Sequence, residues 1–413
     1  MAKRNGITDE RAKTAQLALM VIFFTQGFAT LSWMPRIPEF IDNLQVSKEL
    51  WGAIIGFGGV GSLIPLLFTS RLVIRYGTTP IIKFSSFAMV AMLLALPYPT
   101  QWWLFLVFNF MLSFAISVFN IALNSQAVMF QKRVNKVLLG SFHGSWSIGA
   151  AASAGVSSII AAFTPLELQM FLMSMLCLVL FVWAARHMVQ PAESDAVDRD
   201  VPSERISWLK TPPFLWLLAV GGFMGMWPEL VLMDWSSVYA KEVLNLDPSR
   251  AAWPYTIFVI AMIVGRFSIT RLTEKYNVAR LSQVGGIFGS IALALAIYLS
   301  ATLADENQNL ALFLLCVFFA IAGLGISSMV PGFFSMAGNV EGLSTAQALS
   351  RLLLFNTIVV IFAKMAMGSL IDASSLPLAM IFPIATFVIA GIISGIVANR
   401  FKKIALNRDY IPE

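Results

Sequence analysis

The sequence predicts an all-α integral membrane protein with twelve transmembrane helices in two pseudo-symmetric six-helix bundles. Three observations predict it. Twelve hydrophobic stretches of bilayer-spanning length fill the 413-residue chain almost end to end. A helix needs roughly 20 mostly apolar residues to cross the hydrocarbon core, so twelve need about 240, close to what a chain that is 58% hydrophobic contains. Only 12% of residues are charged, about half the share of a soluble domain, and mean hydropathy is +0.78. Finally, the polar run QPAESDAVDRDVPSERISWLK separates the spans into two sets of six. The expected organisation is therefore an N-terminal bundle over 1–189, a cytoplasmic linker over 190–212 and a C-terminal bundle over 213–413. Proline and alternating charges make the linker a solvated segment.

Taken in order, span 1 covers 14–34. It is too long for the apolar core of a signal peptide and no small-residue cleavage site follows, so it is read as retained. Spans 2 to 6 cover 50–71, 80–98, 102–126, 138–161 and 166–188. Spans 7 to 12 cover 213–236, 252–272, 280–302, 309–333, 346–370 and 377–399. The chain has 28 lysines and arginines and a net charge of +6. Only Arg36, Lys48, Lys241 and Arg250 fall on one side of this arrangement, and Arg351 and Lys364 fall within span 11. All the others, among them Arg71, Arg75, Arg266 and Arg271, are placed on the side of the two termini. The positive-inside rule then makes both termini cytoplasmic. The basic balance is thus a topological signal, and nucleic acid is not an expected partner. Trp33, Trp51, Trp102, Trp103, Trp235 and Trp253 lie at the outer ends of spans and read as an interfacial aromatic belt.

Enzymatic signals are missing. Two histidines and two separated cysteines, Cys177 and Cys316, make no familiar metal-ligand spacing. There is no phosphate-binding Walker loop. The chain is read as neither an enzyme nor a metal or cofactor protein. The runs GFGGVGSL and GGIFGS lie inside spans and read as close helix packing. The octet Ser70–Gly77 after span 2 is echoed by Thr270–Asn277 after span 8, which with the six-plus-six count supports a duplicated bundle.

Charge in hydrocarbon costs from about 2.5 to over 10 kcal/mol, so each ionisable group inside a span is a site hypothesis. Glu229 in span 7 follows Pro228, which tends to kink a helix; it is read as a proton- or substrate-binding carboxylate, with a structural ion pair as the alternative. Lys364 in span 11 has three readings: counter-ion of Glu229, binder of an anionic substrate, or a snorkelling side chain. Asp234 is assigned to an outer-gate or capping role, with substrate binding as the alternative, and Arg351 to a gate ion pair or lipid headgroups, again with substrate binding as the alternative. His143 is assigned to a packing or gating hydrogen bond, with a proton relay as the alternative. In span 4, Asn109, Ser113, Ser117, Asn120 and Asn124 fall within about 80° of one another around a helix. This stripe reads as a cavity wall, with interhelical hydrogen bonding as the alternative. Gln26, Asn356, Ser327 and Ser328 are candidates to complete a hydroxyl-recognising pocket.

Several motifs carry a resemblance. The segment Ser70–Gly77 followed by Thr78 is similar to the Gly-x-Leu-x-Asp-Arg-x-Gly-Arg signature of the major facilitator superfamily. Leu72, Arg75 and Gly77 fit; Ser70, Ile74 and Thr78 depart. Asn120-Ile121-Ala122-Leu123-Asn124, His143-Gly144-Ser145-Trp146-Ser147-Ile148-Gly149 and Glu229 with Asp234-Trp235-Ser236 and Tyr239 resemble motifs of its fucose-permease-like bacterial branch. So do Gly323, Gly325, Pro331, Ser335 and Ala337-Gly338. The resemblance implies a bacterial inner-membrane secondary transporter working by alternating access, with a central cavity lined by spans 1, 4, 7 and 10. It further implies proton-coupled uptake of a sugar-like solute or other small polar solute such as an organic acid. Substrate-binding or coupling roles fall to Glu229, Asn120, Asn124, Lys364, Asn109, Gln26, Asn356 and Asp234. Gating roles fall to Arg71, Arg75, Arg351 and His143. Asn120 stands where the branch has a carboxylate; an amide cannot titrate, so either Glu229 takes over coupling or protons are not used. The alternative is a proton-driven exporter of drugs or metabolites, although the Gly-Pro motif usual in drug antiporters is missing from span 5. A sensor or lipid-handling role lacks a soluble signalling domain. Expected partners are a small-molecule substrate, protons and membrane lipids, with the chain monomeric.

Overall fold

A computed structural model describes residues 9–135, 138–188, 211–273, 275–338, 340, 343 and 345–408. The 190–212 linker lies outside the described residues except for its last two. All regular structure among the described residues is helical, and the chain divides into two compact units, Met1–Pro202 and Ser203–Glu413.

The first unit contains α1 (Asp9–Leu31), α2 (Ile37–Leu44), α3 (Lys48–Val60), α4 (Thr69–Tyr76), α5 (Thr78–Ala95), α6 (Trp102–Val134), α7 (Leu139–Ile160) and α8 (Leu166–His187). The second contains α9 (Pro213–Val243), α10 (Pro248–Ala251), α11 (Trp253–Leu272), α12 (Val278–Leu303), α13 (Gln308–Ile326), α14 (Met329–Ala337), α15 (Thr345–Ala373), α16 (Leu376–Ala379) and α17 (Ile381–Arg408). Among the described residues, eleven helical stretches are long and apolar enough to cross a membrane. The remaining predicted span is present as α7, 22 residues long, whose glycines, serines and His143 lower its hydropathy.

Local chemistry sets the boundaries. The Ser47 hydroxyl accepts from the Leu50 amide at the start of α3, and Asn277 and Asn307 cap α12 and α13 in the same way, each satisfying an amide that has no partner within its helix. Span 2 is not continuous: α3 ends at Val60, a 3-10 turn containing Pro65 follows, and α4 begins at Thr69. Proline has no amide hydrogen to extend the helix through that point. Span 10 divides at Ser327 and Ser328 into α13 and α14. By contrast α9 runs unbroken through Pro228. Between α4 and α5, Gly77 has φ +81°, a conformation glycine adopts without the steric penalty of a Cβ.

Close helix contacts explain two of the sequence motifs. A Cβ on Gly149 of α7 would strike the Phe24 carbonyl of α1, and one on Gly27 of α1 would strike the Trp146 carbonyl of α7. The GGIFGS run behaves likewise: Cβ atoms on Gly285 and Gly286 would lie 2.5 Å from the Gly325 oxygen and from the Gly391 Cα. Small residues let these backbones approach.

The aromatic belt needs correction. Trp102, Trp103 and Trp253 are exposed, as an interfacial belt requires, but Trp33, Trp51 and Trp235 are buried. Trp33 packs edge-on against Phe40 and Trp51 tilts on Phe105, so packing among neighbouring rings claims them. Arg36, read as a loop charge, is also buried. It pairs with Glu39 and donates to Gln169 Oε1 at 2.6 Å and to the Thr164 carbonyl at 3.2 Å, tying the segment after α1 to the start of α8.

Candidate functional site

The C-terminal unit concentrates buried charge on α9. Glu229 and Asp234 are five residues apart, so at 100° per residue they project about 140° apart and address different neighbours. Arg266 Nη2 on α11 donates to both oxygens of Glu229, at 2.7 and 2.9 Å. Lys364 Nζ on α15 lies 2.7 Å from Asp234 Oδ2. The carboxylate side chains are 10% and 4% exposed, against 28% and 17% for Arg266 and Lys364, so the acids are enclosed while their cations keep one edge accessible. Two ion pairs thus connect α9 to α11 and to α15. A carboxylate buried this deeply requires a compensating charge, because removing one partner leaves an unpaired buried ion.

The pairing corrects an expectation. Lys364 is the counter-ion of Asp234, not of Glu229. Arg266, expected among the charges at the cytoplasmic side, is the counter-ion of Glu229. A signal for it was present: counted from the connection between α9 and α11, Glu229 and Arg266 lie at nearly the same depth on adjacent antiparallel helices.

Around the pairs, several buried polar atoms make no hydrogen bond: Tyr255 OH on α11, Ser236 Oγ, Ser237 Oγ and Trp227 Nε1 on α9, and Asn356 Oδ1 on α15. Tyr255 is close enough to Asp234 and Glu229 to feel both charges. Asn356 faces Gly222, where a Cβ would come within 3.2 Å of its Nδ2. Groups of this kind carry a desolvation cost that a polar ligand would relieve. Tyr239 is not among them: its hydroxyl donates to the Ile297 carbonyl at 3.0 Å and lies 3.0 Å from Ser300 Oγ, tying α9 to α12. Ser327 and Ser328, expected in the pocket, donate to carbonyls of their own chain at the break before α14. Arg351, expected at a gate ion pair or lipid headgroups, is buried and donates to Thr211 Oγ1 at 2.8 Å, bracing α15 against the entry to α9.

In the N-terminal unit, Gln26 of α1 and Asn120 of α6 come together, Gln26 Nε2 donating to Asn120 Oδ1 at 2.6 Å. Asn124 Nδ2 donates to the Asn120 carbonyl at 2.8 Å. The outer part of the α6 stripe is a seam toward α3 and the turn after it, not a cavity wall. Asn109 lies against Gly58, and Ser117 Oγ donates to the Ser62 carbonyl at 2.8 Å. Ser62 follows the end of α3, where carbonyls lack a helical partner. Arg71 and Arg75 are exposed on α4, the latter 5.2 Å over the Tyr76 ring. His143 is exposed at the start of α7 and meets Phe23 edge-on at 5.3 Å. The structure does not join these gating candidates into one cluster.

A two-unit, all-helical, multi-pass membrane protein with compensated charge inside its spans belongs to the class of membrane transporters. The chain is a member of the Major Facilitator Superfamily, whose family model matches residues 18–340. It is similar to an uncharacterised MFS-type transporter of Yersinia pestis, with 22% identity over 88% of this chain and 91% of the relative. An uncharacterised transporter of Sinorhizobium fredii is 24% identical over 91% of this chain and 94% of its own length. Membrane protein MosC of Rhizobium meliloti is 20% identical over 92% and 90%. Among solved structures, a bacterial homologue of the human lysosomal transporter Spinster superposes with a TM-score of 0.74 at 14% identity, covering 96% of this chain and 99% of the other. A variant of the nucleoside transporter NupG gives 0.73 at 13% identity, covering 94% and 99%. These two likenesses concern the fold.

Proposed function

We propose that this protein is a secondary transporter of the bacterial cytoplasmic membrane, with both termini cytoplasmic, that takes up a small polar solute together with protons by alternating access. The observation that carries the proposal is that α9 holds two carboxylates inside the membrane-spanning unit, each matched to one cation on a different neighbouring helix. A proton and a cation are alternative ways to compensate the same buried carboxylate. Protonation of Glu229 therefore releases Arg266 and loosens the connection from α9 to α11. Coupling of this kind requires that a ligand bind the two access states unequally. Asn120 cannot play this part, so the titratable coupling group is assigned to α9. The solute is read as hydroxyl- or carboxyl-bearing, and in the C-terminal unit the unsatisfied Tyr255 hydroxyl and Asn356 amide oxygen are the groups proposed to meet it. Structural likeness to a nucleoside transporter adds nucleosides to the solutes worth testing.

The test begins with a thermal-shift panel of sugars, organic acids, nucleosides and hydrophobic cations on the detergent-purified chain, since a ligand that prefers the folded state raises its melting temperature. Uptake of the stabilising solute into proteoliposomes is then driven by an inward proton gradient. Glu229→Gln is expected to abolish gradient-driven accumulation while leaving exchange of labelled for unlabelled solute. Accumulation that survives in Glu229→Gln removes Glu229 as the coupling group. Stabilisation by hydrophobic cations alone replaces the uptake reading with export.

A further inference from the structure

In the N-terminal unit, the first turns of α5 and the last turns of α8 enclose a crevice of about 270 Å³. Lys83 and Phe87 of α5 line it, together with Leu178, Phe181, Val182 and Arg186 of α8. The order of these residues along their helices is the informative part. On α5 the cation is followed one turn later by Phe87. On α8 the cation in the last turn is preceded at one-turn intervals by Val182 and Leu178. Both helices therefore place a positive charge at the same end of the crevice and apolar surface along the rest of it. Lys83 and Arg186 are exposed, no carboxylate lines the crevice, and neither residue makes an ion pair among the described residues. The outward apolar surface continues on Phe84, Val179 and Trp183.

Two cations that have no ion pair among the described residues, at the mouth of an apolar slot, match an amphiphile with an anionic head. A free phosphate would use the cations and leave the apolar walls in water. A guanidinium presents its donors in a fork that fits phosphate oxygens, and an ammonium adds a point charge beside it. At the end of two spanning helices these groups lie near the level of lipid headgroups, where basic side chains attract anionic lipids. We propose that this crevice is a binding site for an anionic phospholipid, its phosphate between Lys83 and Arg186 and an acyl chain along Phe87, Val182 and Leu178. The inference rests on the chain spanning the membrane and is independent of which solute it carries.

Native mass spectrometry of the full chain released from detergent tests it, with phosphatidylglycerol as the probe and phosphatidylcholine as the control. The wild type is expected to retain phosphatidylglycerol in preference to phosphatidylcholine. Removing both charges in Lys83→Gln/Arg186→Gln is expected to weaken phosphatidylglycerol about 30-fold and to leave phosphatidylcholine unchanged. Ala185→Trp keeps both charges but fills the crevice, and it too is expected to lose the preference. Lys132→Gln, an exposed cation outside the crevice, is expected to keep it. Three results would overturn the proposal: unchanged phosphatidylglycerol binding in both crevice variants, equal retention of phosphatidylcholine by the wild type, or displacement by glycerol phosphate at concentrations that saturate the cations.

Discussion

The Glu229–Arg266 pair is where a single side chain has the largest consequence. Taking one partner from a buried pair typically costs roughly 3–5 kcal/mol because the other is left uncompensated. Arg266 keeps 28% of its side chain exposed, so Arg266→Gln is expected at or below the lower end of that range. Glu229→Gln/Arg266→Gln removes both charges and is expected to regain most of the loss. Denaturation of the four proteins in the same detergent measures the coupling between the two sites; if the double variant loses the sum of the single losses, the pair does not act as a unit. Asp234 and Lys364 form a parallel cycle. At this scale the sequence exposed the problem but not its solution. Ionisable residues inside apolar spans stand out because hydrocarbon penalises them, and Glu229, Asp234 and Lys364 were all recognised in that way. Which acid meets which base depends on azimuth and depth across three helices. Arg266 does not stand out in the sequence, because a cation a few residues from the end of a span reads as a topological charge.

Helices were the most legible level, since hydrophobic length alone marks a span. What length does not mark is where a span breaks or what a polar face touches. The interruption after Val60 depends on Pro65, and the one at Ser327 on hydroxyls that bond back to their own chain. The α6 stripe was evident from its period, but period does not distinguish a face that lines a cavity from one that meets α3. The motif around His143 proves to be packing chemistry at one end: Gly149 is where α7 meets the α1 backbone. Gly149→Val therefore has no room to be accommodated without separating the two helices. Overpacking of this kind costs about 1–3 kcal/mol or more, and thermal unfolding of purified Gly149→Val is expected to show it. Gly140→Val, in the same helix but with open space around its Cβ, is expected to unfold close to the wild type. Equal losses in the two would point to helix propensity and away from the α1–α7 contact.

At the scale of the whole molecule, the octets Ser70–Gly77 and Thr270–Asn277 echo each other in sequence but not in every detail of the backbone. The turn after α4 uses Gly77 at positive φ, whereas at the corresponding place Asn277 is extended and caps α12 through its side chain. The two basic turns thus hold similar places in their units while reaching them with different residues and geometry. What neither helix count nor packing fixes is the direction in which the bundle is inserted. The distribution of lysine and arginine predicts one direction, with the termini and the 190–212 segment cytoplasmic, and labelling tests it. Both native cysteines, Cys177 and Cys316, are buried, so a membrane-impermeant maleimide should react weakly with the unaltered chain. Reporter cysteines can therefore be read against a low background. In intact cells Gln45→Cys between α2 and α3, and Asp305→Cys between α12 and α13, both at exposed positions, are expected to label. Ser194→Cys is expected to label only in inverted membrane vesicles. Labelling with the reverse sidedness would invert the topology. It would place the basic ends of α5 and α8 in the opposite leaflet.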